Sequence, residues 1–192
     1  MKRLIVITAL AAMVACKGRD QKPGSTNSPV AAITQSKNSD EFNRSFSGVL
    51  ENYYGLKDAL VATNDTLAAS VAQQLGASVS TIMLSELKDD SSIAIMVKGY
   101  AETISDEARA LASQKDIETK RKSFQTISDN MYDLLRAVRY DGGIVYHQFC
   151  PMAFNDAGAY WLSKTSDIKN PYFGKKMLTC GEVKDSINFA GK

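Results

Sequence analysis

The stretch SDEFNRSFSGVLENYYGLKDALVATN, residues 39–64, decides the fold. Phe42, Phe46, Val49, Leu50, Tyr53, Leu56 and Leu60 recur at intervals of three and four, which lines them along one face of an α-helix and fits no alternating strand. Ser39 stands just ahead of them as an N-cap, because its hydroxyl can accept from an unpaired amide of the first turn. Gly48 and Gly55 interrupt the pattern without breaking it.

Three more stripes follow. Asn64 and Asp65 give a cap signal for a second helix, with Leu67, Val71, Leu75, Val79 and Ile82 on its face and an end before the polar KDDSS at 88–92. A third stripe, Ile93, Val97, Tyr100, Ile104, Ala108 and Leu111, runs to SQKD at 113–116. There Asp116 caps a fourth helix carrying Ile117, Phe124, Ile127, Met131, Leu134, Leu135 and Val138. DGG at 141–143 ends it, since glycine adopts the backbone angles a helix terminus needs. Short connections make neighbouring helices antiparallel, so the expected fold class is all-α, an up-down four-helix bundle with a small irregular or β-hairpin C-terminal cap. The apolar stripes read as core and not as a cofactor pocket, and Lys120, Arg121 and Lys122 read as a solvated helix face.

The N-terminal MKRLIVITALAAMVACKGRD has two basic residues, an apolar run from Leu4 to Val14 and small Ala15 before Cys16. The run is shorter than the ~20 apolar residues a membrane-spanning helix needs, and it reads as an export signal over residues 1–15. Its MVAC end resembles the lipobox of bacterial lipoproteins, which implies lipidation of Cys16, a membrane tie through that lipid and a place on the periplasmic face of the cell envelope. Residues 16–38 are rich in Gly, Ser, Pro, Asn and Lys and read as a tether too polar to offset the entropy of ordering. Residues 39–192 then form the domain, with the cap starting at 142. The formal net charge is +2, and the 23 basic residues fall to 21 without Lys2 and Arg3, against 21 acidic ones. Such a balance argues against a nucleic-acid partner, which needs a basic excess on one face.

The cap holds the chemistry. IVYHQF (144–149) has strand-like residues, NDAG (155–158) is a turn signal, and AYWL (159–162), NPYFG (170–174) and KKMLTCGEV (175–183) follow. The chain has one His and one Trp, His147 and Trp161, and two of its three cysteines, Cys150 and Cys180, lie in this region. In an extended segment Cys150 and Met152 share a face, while Met177 and Cys180, three apart, share one side of a turn. Imidazole, thiolate and thioether donors together select Cu(I), with Zn(II) served by the thiolates and imidazole. The alternative is a Cys150–Cys180 disulfide in an exported protein, worth roughly 3–4 kcal/mol in the chain-entropy model, within a non-catalytic structural or protein-interaction module. Trp161, Tyr160, Tyr172 and Phe173 read as apolar cement, and Asn170–Pro171 as a turn. No catalytic residue is expected, because His147 and Cys150 stand at i, i+3 in an extended run and point to opposite faces, which denies the thiol a base.

Three stretches, YYGLKDALVATND (53–65), FCPMAFNDAGAYWLS (149–163) and IKNPYFGKKMLTCG (168–181), resemble domain of unknown function family 3347. The resemblance runs from about residue 42 to residue 187. Members occur in exported proteins and at the ends of periplasmic adaptor subunits of heavy-metal efflux pumps. The Cys-Pro-Met core is also similar to the Tyr-His-Cys-Pro-Met-His motif of copper transport proteins. Here His147 lies three positions before the cysteine, and Ala153 replaces the second histidine. The resemblance implies metal handling in the envelope: copper as Cu(I), with zinc second, held by Cys150, Met152, Met177 and Cys180 with His147 as a fifth donor, and metal efflux components as partners.

Overall fold

A computed structural model of the chain describes residues 38–82 and 91–190; the export signal, Cys16 and nearly all of the tether lie outside these residues. Four long helices pack against each other, α1 (Asp40–Val61), α2 (Asp65–Ser80), α3 (Ser91–Ser113) and α4 (Ile117–Ala137). Their starts follow local chemistry. The Ser39 hydroxyl accepts from the Phe42 amide at 3.0 Å, Asn64 Oδ1 from the Leu67 amide at 3.0 Å, and Asp116 Oδ2 from the Thr119 amide at 2.8 Å, each satisfying an amide the helix leaves free. Each helix packs chiefly on the next in sequence. The face read from residues 39–64 is the core: Phe42, Phe46, Val49, Leu50, Tyr53, Leu56 and Leu60 are all buried, and the Tyr53 and Phe124 rings stack at 5.3 Å to join α1 to α4.

Two stripe positions differ from the expectation. Leu67 is 46% exposed and Ile93 37% exposed. In α2 the buried face is instead Ala68, Ala72, Leu75, Gly76 and Val79. Small residues win there because they let backbones approach: a Cβ on Gly76 would lie 3.4 Å from the Ser105 carbonyl of α3, and one on Gly55 of α1 would lie 3.2 Å from Val71 Cγ1 of α2.

The basic run of α4 is a second correction. Lys122 is exposed, but Lys120 and Arg121 are buried. Lys120 Nζ donates to the carbonyls of Leu111, at 3.1 Å, and Gln114, and pairs with Asp65 at 3.3 Å, so it caps the C-terminal end of α3. Arg121 does the same for α1, its Nη2 donating to Leu60 O at 3.3 Å, while Nη1 meets Glu118 at 2.6 Å. Helix-end carbonyls left by short connections attract cations, and a charge so paired tolerates burial.

After the helices comes a three-stranded antiparallel sheet in the order β2-β1-β3, built from β1 (Val145–Cys150), β2 (Ala159–Ser163) and β3 (Glu182–Ile187). β1 and β2 form the expected hairpin, with Tyr146 opposite Ser163 and Cys150 opposite Ala159. β3 was not anticipated. Only Ile187 of EVKDSI is buried, so this strand lacks the apolar alternation that marks one in sequence. β2 lies against α4, and Tyr53 fixes it there: its hydroxyl oxygen accepts from the Leu162 amide at 3.0 Å and shares a hydrogen bond with Ser128 at 2.7 Å. One phenol thus joins α1, α4 and β2. Tyr53→Phe removes the acceptor of the buried Leu162 amide, and urea unfolding of that variant is expected to show a loss of about 1–3 kcal/mol.

Candidate functional site

Cys150 ends β1, the middle strand, and is fully buried. Cys180 lies in the loop before β3 and is half-buried. Their sulfurs stand 3.3 Å apart as free thiols. That separation exceeds the ~2.05 Å of a disulfide and falls just below the ~3.8 Å that two ~2.3 Å metal–sulfur bonds at a tetrahedral angle require. A small displacement reaches either.

The loop that delivers Cys180 is built around Asn170. Its buried side chain donates to the Cys180 carbonyl at 2.7 Å and accepts from the amides of Tyr172, at 2.8 Å, and Phe173, at 3.2 Å, while its own amide donates to Leu178 O at 2.8 Å. An Asx turn and a clasp across ten residues therefore come from one side chain. Arg121 Nε donates to Pro171 O at 2.9 Å and ties this loop to the helices. Two glycines permit the approach. Gly174, at φ 57°, leaves no room for a Cβ, which would sit 2.8 Å from Val61 O; Gly181, at φ 146°, would place one 2.8 Å from Phe149 O and from the Trp161 ring. Only a residue without a side chain lets the strand after Cys180 lie this close to β1.

The other candidate ligands divide. Met177 is half-buried in the 3₁₀ turn Gly174–Met177, and the Cys180 amide donates to its carbonyl at 3.1 Å, so these two residues do share one turn. Met152 does not follow Cys150 inward. The strand stops at Cys150, Pro151 starts a turn, and Met152 takes α-region angles and is 46% exposed. Alternation fails where the proline ends the strand. His147 is not brought to the sulfurs: its ring lies between those of Tyr132 of α4 and Tyr160 of β2, at 4.0 and 4.6 Å, on the sheet face opposite Cys150. Burial lowers its pKa to about 4, with Asp185 opposing and Arg136 adding to the shift. The hydrogen bond with Cys150 pushes the Cys180 thiol above its ordinary pKa.

The connection from β1 to β2 is backbone-strained. Phe154, Asn155 and Asp156 all have left-handed angles, with φ of 54°, 58° and 64°. Asn and Asp tolerate this region; Phe does so at a cost of ~1–2 kcal/mol. The Phe154 ring packs edge-on against Tyr172 at 5.3 Å, which holds it there. Tyr172 is buried against Phe124 and Trp161 as well and donates its hydroxyl proton to the Tyr160 carbonyl, so the aromatic cluster does cement the cap to the helices. Among the described residues no group of three or more His, Cys, Asp and Glu side chains is arranged to hold a metal ion.

Asn170 is expected to form a turn and Gly181 to free a close approach, and both do so; Gly174 and Arg121 shape the site without being expected to. NPYFG carried the signal for Gly174, as a turn former; nothing in the basic run marked Arg121.

Residues 49–142 match the model of a family described as a protein of unknown function, DUF3347. The chain thus carries a DUF3347 domain. The match covers the helices from Val49 onward and ends ahead of β1, short of the stretch to residue 187 over which the resemblance was expected. No curated protein and no solved structure matches the chain.

Two outcomes test the geometry. Because the folded state holds His147 neutral, the stability this gives is complete above the unfolded pKa of ~6.5 and is lost as pH falls toward 4. Urea midpoints should therefore drop between pH 6.5 and 4.5, and His147→Phe should flatten that slope relative to wild type. Gly181→Ala should destabilise by about 1–3 kcal/mol and slow formation of a Cys150–Cys180 bond under mild oxidation, read by mass.

Proposed function

We propose that this chain is an envelope lipoprotein whose C-terminal cap binds Cu(I), or another soft heavy-metal ion, on behalf of metal handling or efflux. The observation that carries it is the pair of free thiols 3.3 Å apart, with Met152 two residues after one cysteine and Met177 three residues before the other. Cys150 and Cys180 supply anionic sulfur, and the two methionines supply neutral sulfur from partly exposed side chains, a set that suits a soft monovalent ion. Zinc is the second choice, since it prefers four thiolate, imidazole or carboxylate donors. His147, on the far face of β1, is a packing residue in this reading. The raised Cys180 pKa makes binding release protons, so affinity rises with pH.

The helices serve as scaffold and the cap as the working part, with no catalysis. An up-down order of the four helices is supported by the short links at 62–64 and 114–116 and by packing of each helix on its successor. Lipidation at Cys16 rests on the sequence alone. The second reading, a disulfide staple without metal, is favoured by full burial of Cys150 beside Cys180.

Titration of the reduced chain with Cu(I) against a competing chelator separates the two. Wild type should outbind the Cys150→Ser, Cys180→Ser double variant by at least ~100-fold, or ~2.8 kcal/mol. Met152→Leu and Met177→Leu should each weaken binding ~10-fold, and His147→Phe should leave it unchanged. Equal affinity of wild type and the double variant rejects the metal reading.

A further inference from the structure

The two cysteines are chemically unequal, and the proposal above makes no use of the difference. Cys150 is fully buried on the middle strand, paired with Ala159 on one side. Cys180 is partly exposed on a loop. That loop ends at Gly181, at φ 146°, before β3 begins, so Cys180 lies outside the ladder that holds Cys150. Exposed Lys169, Lys175 and Lys176 precede Cys180 in the chain, with no carboxylate between residues 168 and 181. These lysines draw anionic reagents to the loop.

We propose that the cap performs ordered thiol–disulfide exchange with small anionic disulfides, Cys180 reacting first and Cys150 completing the reaction. In the first step Cys180, having given its proton to solvent, attacks one sulfur of R–S–S–R. That S–S bond breaks, one RS⁻ leaves with the electron pair and takes up a proton, and a mixed disulfide Cys180–S–S–R forms. In the second step Cys150 loses its proton and attacks Cys180 Sγ, expelling the second RS⁻. Two protein thiols are oxidised by two electrons, and one small disulfide is reduced to two thiols. The 3.3 Å contact places the second attack within reach without diffusion, which makes it effectively intramolecular.

The exchange stands on thiol geometry alone, while its role rests on the metal reading: a closed pair has no thiolates left to hold an ion, so oxidation releases the metal and reduction restores the site.

The test uses the full chain with Cys16→Ser, reduced, in chelator, with glutathione disulfide as the probe. Wild type should pass through a transient adduct to an internal disulfide two mass units lighter. The Cys150→Ser variant should stop at a single adduct on Cys180, and Cys180→Ser should acquire none. Since Cys150→Ser disturbs a buried site, a short maleimide pulse on native wild type gives an independent reading, with Cys180 labelled at least ~10-fold faster than Cys150. The sole tryptophan, Trp161, abuts Gly181, so its emission should shift as the pair closes. Adduct on Cys150, comparable labelling of both thiols, or a wild type that stalls at the adduct overturns the proposal. A Cu(I)-loaded arm keeps the two readings distinguishable. Exchange in the metal-free chain without protection by Cu(I) supports the chemistry and counts against the metal site, whereas no exchange overturns this proposal and leaves the titration result standing.

Discussion

The guanidinium of Arg121 is the constraint on which the rest of the cap depends. It sits where α1 ends, where α4 begins and where the C-terminal loop crosses both, and it donates to Leu60 O, Thr63 Oγ1 and Pro171 O while meeting Glu118. A buried cation must have its donors filled, so three separate backbone segments are held to one point. From Pro171 the order passes to Asn170, one residue back, and from its side chain to the Cys180 carbonyl. The sulfur contact is therefore the last link of a chain that starts inside the helices.

The division of labour between the two halves follows from this. The helices bury a continuous apolar face and need no special chemistry. The cap buries Trp161, Leu162 and Tyr172 as its largest core side chains and joins them to α1 and α4 through Tyr53, Ser128 and Phe124. A DUF3347 match that spans 49–142 fits the same partition, since it covers the part whose pattern is set by packing.

How far the sequence could be read depended on what each residue answers to. The four helices were legible because burial repeats with the helical period and Ser39, Asn64 and Asp116 mark their starts. Leu67 escaped because the approach of α2 to its neighbours is set by Gly76, Gly55 and small alanines, which leave no periodic trace. Lys120 and Arg121 escaped because charge is usually solvated, and only the positions of carbonyls from other helices reveal an exception. The cysteine pair was foreseen as converging, whereas Met152 turned outward at a proline and His147 went to an aromatic stack on the opposite face of the strand. Convergence of distant segments is decided by turns and tertiary hydrogen bonds, and those are the features a linear pattern encodes least.

The left-handed run at Phe154–Asp156 couples two loops that hydrogen bonds leave separate. Phe154 keeps its costly backbone angles only while its ring leans on Tyr172, and Tyr172 belongs to the segment that carries Cys180. The geometry of the first loop, with Met152 at its start, is thereby tied to the same segment that delivers the second sulfur.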